Sequence, residues 1–273
     1  MIKAIFFDID GTLVSFRQKF LSDQLLADLT TLRERGIKTF ICSGRALQDL
    51  ENTGMLRGAK FDGYVTINGQ FCCDGDGTPF RDEPIGLDDM RGAYQVLLDN
   101  PTVPALLEGN GESYLTQIND RVREIYEFLH TEPYPLCPLE WLLERKVYQF
   151  VPFVASGEEA LFLDAMPDCT YTRWHPKGID IMPRDGGKGV GVLATMERYG
   201  FTRDEVMVFG DGENDMSMMA QAGLSVAMGN GEDMVKAMAD HVTDTVENDG
   251  VSKALRHFGL LLDEKGFDNG HIL

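Results

Sequence analysis

Four stretches of this sequence carry acidic, basic and hydroxyl side chains, three of them where apolar runs end and one at a predicted helix start. Asp8 and Asp10 close the run Ile5-Phe6-Phe7, and Ser43-Gly44-Arg45 follows Ile37 to Cys42. Lys188 stands behind Gly186-Gly187, and Asp211-Gly212-Glu213-Asn214-Asp215 follows Val206 to Phe209. Carboxylates from two separate strand ends form an all-oxygen set for a hard divalent cation. Mg²⁺ fits, because it binds through one or two carboxylates plus waters and a substrate phosphate. A lysine supplies point charge, while the Ser43 hydroxyl and the Gly44 amide donate hydrogen bonds, which together meet the needs of a phosphoryl group. One carboxylate is then available as a nucleophile that takes up the phosphoryl group. Each stretch alone has a plainer reading. Asp-x-Asp is usually an acidic turn, residues 211–215 read equally as a solvated loop capping the next helix, Lys188 as a surface lysine, and Ser43-Gly44 as a helix N-cap.

The elements that must position these residues follow from the apolar pattern. Ile2 and Ala4 to Phe7 read as a strand covered on both faces, and Gly11 lets the chain turn sharply after it. Asp8 and Asp10, two apart in extended chain, start from the same side. Ser22 is positioned to cap a helix carrying Leu25, Leu26, Leu29 and Leu32, which Gly36 ends. A strand over Ile37 to Cys42, a helix over roughly 46–56 and a strand over Phe61 to Ile67 complete a β-α-β-α-β start, which predicts a parallel sheet. Asn68-Gly69 and Asp74-Gly75-Asp76-Gly77 predict hairpin turns.

From about Glu83 the pattern changes. A helix over Asp88 to Leu98 precedes a hairpin of Val103 to Glu108 and Ser113 to Ile118. Helices over Asp120 to His130 and Leu139 to Arg145 flank a proline-rich loop. A strand over Val147 to Ala155, a helix over Gly157 to Ala165, and strands over Thr170 to Trp174 and Ile179 to Met182 follow. After Pro183 the first pattern resumes, with a helix from Gly186 to Gly200, strands at Val206 to Phe209 and Leu224 to Met228, and a polar tail from about Lys265. Residues 1–82 and 184–273 are therefore expected to form one α/β domain with a Rossmann-like parallel sheet, interrupted by an α+β module over 83–183. Three of the four chemical stretches follow strands directly. They fall at the carboxyl ends, where open α/β sheets bind ligands.

Composition narrows the class. A net charge of −19 over 273 residues argues against binding nucleic acid or an anionic membrane surface. No apolar run approaches the ~20 residues that span a bilayer, and the N-terminus has no signal-peptide pattern. Five cysteines without metal spacing read as reduced packing residues. These features predict a cytoplasmic protein acting on a small molecule.

The order Asp8-Ile9-Asp10-Gly11-Thr12, Ser43-Gly44-Arg45, Lys188 and Gly210-Asp211-Gly212-Glu213-Asn214-Asp215 resembles the haloacid dehalogenase (HAD) superfamily of phosphotransferases. The insert between the second and third motifs makes it most similar to the Cof-type (subfamily IIB) sugar-phosphate phosphatases. The likeness extends to Asn68-Gly69, Ala227-Met228-Gly229-Asn230 and Asn248-Asp249-Gly250-Val251.

This resemblance implies a HAD fold with an inserted C2-type cap and Mg²⁺-dependent hydrolysis of small phosphate esters, sugar phosphates foremost, through an aspartyl-phosphate. It implies Asp8 as nucleophile and metal ligand. Asp10 is implied as the acid and base that serves the leaving alcohol and the water, with its backbone carbonyl on the metal. Ser43, Gly44, Arg45 and Lys188 are implied at the phosphoryl oxygens, with Asn214 close by. Asp211 is implied as a direct metal ligand, and Asp215 as the group holding the metal's water or Lys188. The cap would select the leaving group, with Arg173, Trp174, His175, Lys177 and Asp180 as candidates. A phosphomutase of the same superfamily, phosphomannomutase-like, would share this core and keep the phosphoryl group for a second hydroxyl. A receiver-like signalling domain also combines aspartates, a hydroxyl and a lysine, but lacks the second aspartate and the cap.

Overall fold

The computed structural model describes residues 1–15, 17–129 and 131–261. The polar tail expected from Lys265, and His130 at the end of a predicted helix, lie outside them. In chain order the strands are β1 (Ala4–Phe7), β2 (Lys38–Cys42), β3 (Gly63–Thr66), β4 (Phe71–Asp74), β5 (Pro79–Asp82), β6 (Ala105–Glu108), β7 (Ser113–Leu115), β8 (Gln149–Pro152), β9 (Cys169–His175), β10 (Gly178–Pro183), β11 (Val206–Gly210), β12 (Leu224–Ala227) and β13 (His241–Val242). The helices are α1 (Asp23–Glu34), α2 (Leu47–Thr53), α3 (Leu87–Asp99), α4 (Asp120–Leu129), α5 (Trp141–Glu144), α6 (Ala160–Leu163), α7 (Lys188–Tyr199), α8 (Met216–Met219), α9 (Asp233–Met238) and α10 (Gly250–His257). The chain divides into two compact units. One comprises residues 1–45, 50–81 and the chain from Gly187 onward, and the other residues 46–49 and 82–186.

The first unit is built on an eight-stranded sheet in the order β13-β12-β11-β1-β2-β3-β4-β5. Pairing is parallel from β13 through β3 and turns antiparallel between β3 and β4. Every residue of β1 is buried, because the strand is apolar on both faces. Ile5 and Phe7 enter one core with Leu25, Leu29 and Leu32 of α1 and Leu255 of α10. Ala4 and Phe6 enter the other with Val192 and Met196 of α7. Phe6 stacks on Phe40 at 4.8 Å, and Tyr199 meets Phe40 edge-on at 5.0 Å. Each such ring contributes roughly 2–3 kcal/mol by leaving water. The register pairs Phe7 with both Ile41 and Phe209, so the chain leaves β1, β2 and β11 at one level of the sheet.

The local signals for α1 act as the sequence suggests. The Ser22 Oγ accepts the Leu25 N–H at 3.1 Å, and the acidic first turn suits the helix dipole. The link between β3 and β4 is a hairpin turn at Asn68-Gly69, as the sequence predicts. It takes four residues, 67–70, wound as a tight turn.

The second unit holds a five-stranded sheet in the order β7-β6-β8-β10-β9, antiparallel throughout. Helices α3, α5 and α6 bring Ala93, Leu97, Leu142 and Phe162 onto the face carrying Leu107, Phe150, Ile179 and Ile181. Helix α4 covers part of the opposite face through Val122, Ile125 and Tyr126 against Leu106, Leu115 and Val151. The helix expected over Gly157 to Ala165 shrinks to one turn, α6. Glu158 and Glu159 turn their carboxylates back to accept the Ala155 and Gly157 N–H groups at 2.7 Å, which holds the preceding chain in turns.

Truncating Phe40, central to the second core cluster, is expected to cost about 3–5 kcal/mol. Urea unfolding of Phe40→Ala followed by circular dichroism checks this. A midpoint unchanged from wild type would contradict the packing described.

Candidate active site

The centre of the first unit is a buried ammonium shared by two carboxylates. The Lys188 Nζ lies 2.6 Å from the Asp8 Oδ1 and 2.5 Å from the Asp215 Oδ1, with Lys188 and Asp215 each 1% exposed. Three elements converge to make this contact: the end of β1, the first residue of α7 and the loop after β11. A lysine at a helix N-terminus opposes the dipole, so its place depends on the acids facing it. Burial pulls its pKa down, but Asp215 and Asp8 more than reverse that, and the net shift is upward. Asp215 also accepts the Asp211 and Gly212 N–H groups on its second oxygen, at 2.8 and 3.0 Å, which folds the 211–215 loop around it.

Asp8, Asp211 and Asp215 each bring a carboxylate oxygen within 4.8 Å of the others. Gly11 is required for this approach. Its φ is 91°, and a Cβ on it would lie 2.1 Å from the Asp211 Oδ2. The Thr12 hydroxyl donates to Asp211 at 3.0 Å, and the Asn230 side chain donates to the Gly11 carbonyl at 2.8 Å. Both residues lie within the motifs quoted above, yet only the fold gives them these tasks. Their type is the available signal: small polar groups beside a glycine turn.

Three carboxylates against one ammonium leave the cluster short of positive charge. Burial and then Asp215 push Asp8 well above the usual carboxylate range, further than Lys188 pulls it down. The same two causes, ahead of the Thr12 hydrogen bond that opposes them, push Asp211 up to about 6. A hard divalent cation fits this set of oxygens and this deficit of charge.

Asp10 stands apart from that triad. Arg45 holds both its oxygens, with Nε to Oδ2 at 2.6 Å and Nη2 to Oδ1 at 2.8 Å. Arg45, expected at the phosphoryl oxygens, here directs its fork to Asp10. A planar guanidinium matches a carboxylate in this two-bonded way. Ser43 is buried, and its Oγ accepts the Arg45 N–H at 3.1 Å, so its own proton remains to donate. The Asn214 side chain donates to the Asn68 Oδ1 at 3.2 Å. The structure thus brings Asp8, Lys188, Asp211 and Asp215 together, with Ser43, Gly44 and the Arg45–Asp10 pair at the neighbouring strand ends.

In the second unit most residues near the β9–β10 turn have structural partners. Arg173 pairs with Glu159 at 2.6 Å and donates to several backbone carbonyls. Lys177 pairs with Glu124, and the His175 Nδ1 accepts the Lys177 N–H. Trp174 is 40% exposed. Burial raises Asp180 to about 7, and burial together with Asp180 and Asp49 raises Glu108 to about 8. Composition and spacing did not mark Glu108, which read simply as the end of a strand.

Comparison with known proteins agrees with this geometry. The haloacid dehalogenase-like hydrolase family profile matches residues 5–255. The 5-amino-6-(5-phospho-D-ribitylamino)uracil phosphatase YcsE of Bacillus subtilis is 28% identical over 260 residues, covering 95% of this chain and 96% of that protein. The chain also spans 56% of the length of a Streptococcus pyogenes protein named for phosphatase and peptidyl-prolyl cis-trans isomerase activities, at 28% identity. Among solved structures, the phosphatase BT1666 of Bacteroides thetaiotaomicron superposes with a TM-score of 0.88 at 31% identity, covering 96% of both chains. The HAD subclass IIB sugar phosphatase BT4131 superposes with a TM-score of 0.79 at 33% identity, over 95% of this chain and all of that one.

The carboxylate cluster has a measurable pH signature without metal. Asp211 binds its proton more tightly folded, at about 6, than at its ordinary 3.8, so stability must fall as pH rises through that window. Asp211→Asn removes its share of the slope, leaving that of Asp8, and in chelator at pH 7.5 is expected to be more stable than wild type by on the order of 1 kcal/mol after screening. Calorimetry of both proteins from pH 4.5 to 7.5 checks this. Parallel curves would contradict it.

Proposed function

The chain belongs to the haloacid dehalogenase-like hydrolase family, whose phosphatase members it matches over nearly its full length. From that premise we propose that it is a Mg²⁺-dependent phosphoric monoester hydrolase acting on small phosphorylated metabolites, sugar phosphates foremost, through a phosphoryl group carried on Asp8. The observation that carries this reading is the Lys188 ammonium held between Asp8 and Asp215 at a buried strand end. The likeness to a subclass IIB sugar phosphatase and to a phosphatase of a phosphorylated ribityl compound supports the substrate class.

The residues divide the work as follows. Asp8, Asp211 and the backbone carbonyl of Asp10 would hold Mg²⁺, with Asp215 behind them. When bound, the ion supplies charge neutralisation at a phosphoryl oxygen and within the carboxylate cluster. Lys188 and Ser43, with the Gly44 amide, bind and orient the phosphoryl oxygens. An Asp8 oxygen forms a bond to phosphorus as the ester oxygen leaves, and the Asp10 carboxyl gives that oxygen its proton. Water then attacks phosphorus while Asp10 takes the water's proton, and the bond from Asp8 to phosphorus breaks. Arg45 holds Asp10 beside the turn between these proton transfers.

Purified protein with Mg²⁺ is expected to release inorganic phosphate from members of a hexose and pentose phosphate panel, and to lose that activity in chelator. Isomerised sugar phosphate without release would instead indicate a mutase. Asp10→Asn should lower kcat by about 10²–10⁴-fold and keep metal binding, whereas Asp8→Asn should form no phosphorylated protein detectable by mass. Wild-type turnover in Asp10→Asn would sink the acid–base assignment.

A further inference from the structure

The turn between β3 and β4 carries strain where a two-residue hairpin would need none. Ile67, Asn68 and Gly69 have φ of 50°, 51° and 88°, three successive residues in the left-handed region. Glycine adopts that conformation freely and asparagine tolerates it. A β-branched isoleucine there is an outlier that persists only where the surroundings dictate it. Ile67 is buried at 1% exposure, so its side chain is fixed in the core while its backbone is bent.

The neighbours of the turn indicate what the strain is for. The Ile67 N–H donates to the Arg45 carbonyl at 3.1 Å and the Asn68 N–H to the Ser43 carbonyl at 3.0 Å, so the turn grips the Ser43-Gly44-Arg45 loop by its backbone. Gly69 lies against the start of the lysine helix, where a Cβ would come within 2.4 Å of the Gly187 carbonyl oxygen. The Asn68 carboxamide, itself buried, faces Gly44, whose Cβ position is 3.3 Å from the Asn68 Oδ1. The same oxygen accepts the Asn214 Nδ2 at 3.2 Å. One side chain on one strained turn therefore touches the hydroxyl-and-amide loop and the Asn214 loop, while its neighbour abuts the helix that presents Lys188.

Resting on the reading of Ser43, Gly44, Lys188 and Asn214 as a phosphate cradle, we infer that Asn68 is a positioning residue. Its carboxamide fixes Asn214 and the Gly44 peptide relative to one another, and the strained turn holds it there. It acts through Asn214 and needs no contact with the substrate. A glycine at this position keeps the left-handed backbone and deletes the carboxamide. An aspartate keeps the acceptor for Asn214 and adds an anion beside the cradle.

The test measures the Kd of inorganic phosphate, with Mg²⁺ present, by calorimetry on Asn68→Gly, Asn68→Asp, Asn214→Ala and the double variant Asn68→Gly/Asn214→Ala, with Mg²⁺ affinity measured alone. Asn68→Gly is expected to weaken phosphate about fivefold to tenfold, as for one lost hydrogen bond, with Mg²⁺ affinity unchanged. Asn68→Asp should weaken it further, and the double variant should match Asn214→Ala within about twofold, because both changes remove one path. A phosphate Kd in Asn68→Gly equal to wild type, or losses that add in the double variant, would overturn the inference, as would equal loss of phosphate and Mg²⁺ affinity. Wild-type protein that neither binds phosphate nor releases it from esters would overturn the phosphatase reading first, and this inference with it.

Discussion

The buried ammonium of Lys188 is the constraint on which the first unit depends. An isolated charge at this depth would be driven to neutrality, and a helix N-terminus makes a cation there costlier still. Two carboxylates within 2.6 Å reverse that balance, and each comes from a different part of the chain. The contact joins β1, α7 and the loop after β11 at one point. It also explains the geometry around it. The Asp215 carboxylate must fold back over Gly210, the Asp211 carboxylate must crowd Gly11, and both approaches are open only because those positions lack a Cβ.

The same balance leaves the site acidic in a chain that is already strongly acidic. An anionic ester approaching it meets few cations, and two of them are engaged: Lys188 by Asp8 and Asp215, Arg45 by Asp10. On the proposed reading, attraction for phosphate would be local and directional, made from a shared ammonium, a hydroxyl and peptide N–H groups, with a divalent cation making up the deficit. This division of labour separates the two aspartates of the first motif. Asp8 faces the ammonium, and Asp10 faces the guanidinium.

That separation was only half legible in the sequence. The alternation of extended chain placed Asp8 and Asp10 on one side of a strand, and apolar runs placed Ser43 and Asp211 at strand ends, because local periodicity carries that information. The partner of each aspartate depends on contacts between distant segments, so nothing local announces that the Arg45 fork closes on Asp10. The hairpin at 67–70 was legible, but its strain was not. Asn68-Gly69 announces a left-handed pair, but nothing local announces that Ile67 will join them against its own preference. In the second unit the expected helices over Leu139 to Arg145 and Gly157 to Ala165 shortened to single turns, and at the second of these Glu158 and Glu159 bond the preceding backbone in a way that propensity ignores. Glu108 ends an apolar strand, and the acids that act on it, Asp180 and Asp49, come from distant segments that local pattern does not connect.

The insertion of residues 82–186 into the first unit also sets an order of events during synthesis. Asp8 leaves the ribosome 180 residues before Lys188, so the first three parallel strands exist for some time without the helix and strands that complete them. In that interval β1 has β2 on one side and an open edge on the other, with Ala4 and Phe6 lacking Val192 and Met196 of α7 and Asp8 lacking its ammonium. Such an edge is prone to pair with other chains. An insert that collapses into its own compact sheet shortens the effective span between the two halves, and loop closure then costs little. The nascent chain thus carries the open edge of β1 until α7 and β11 have emerged.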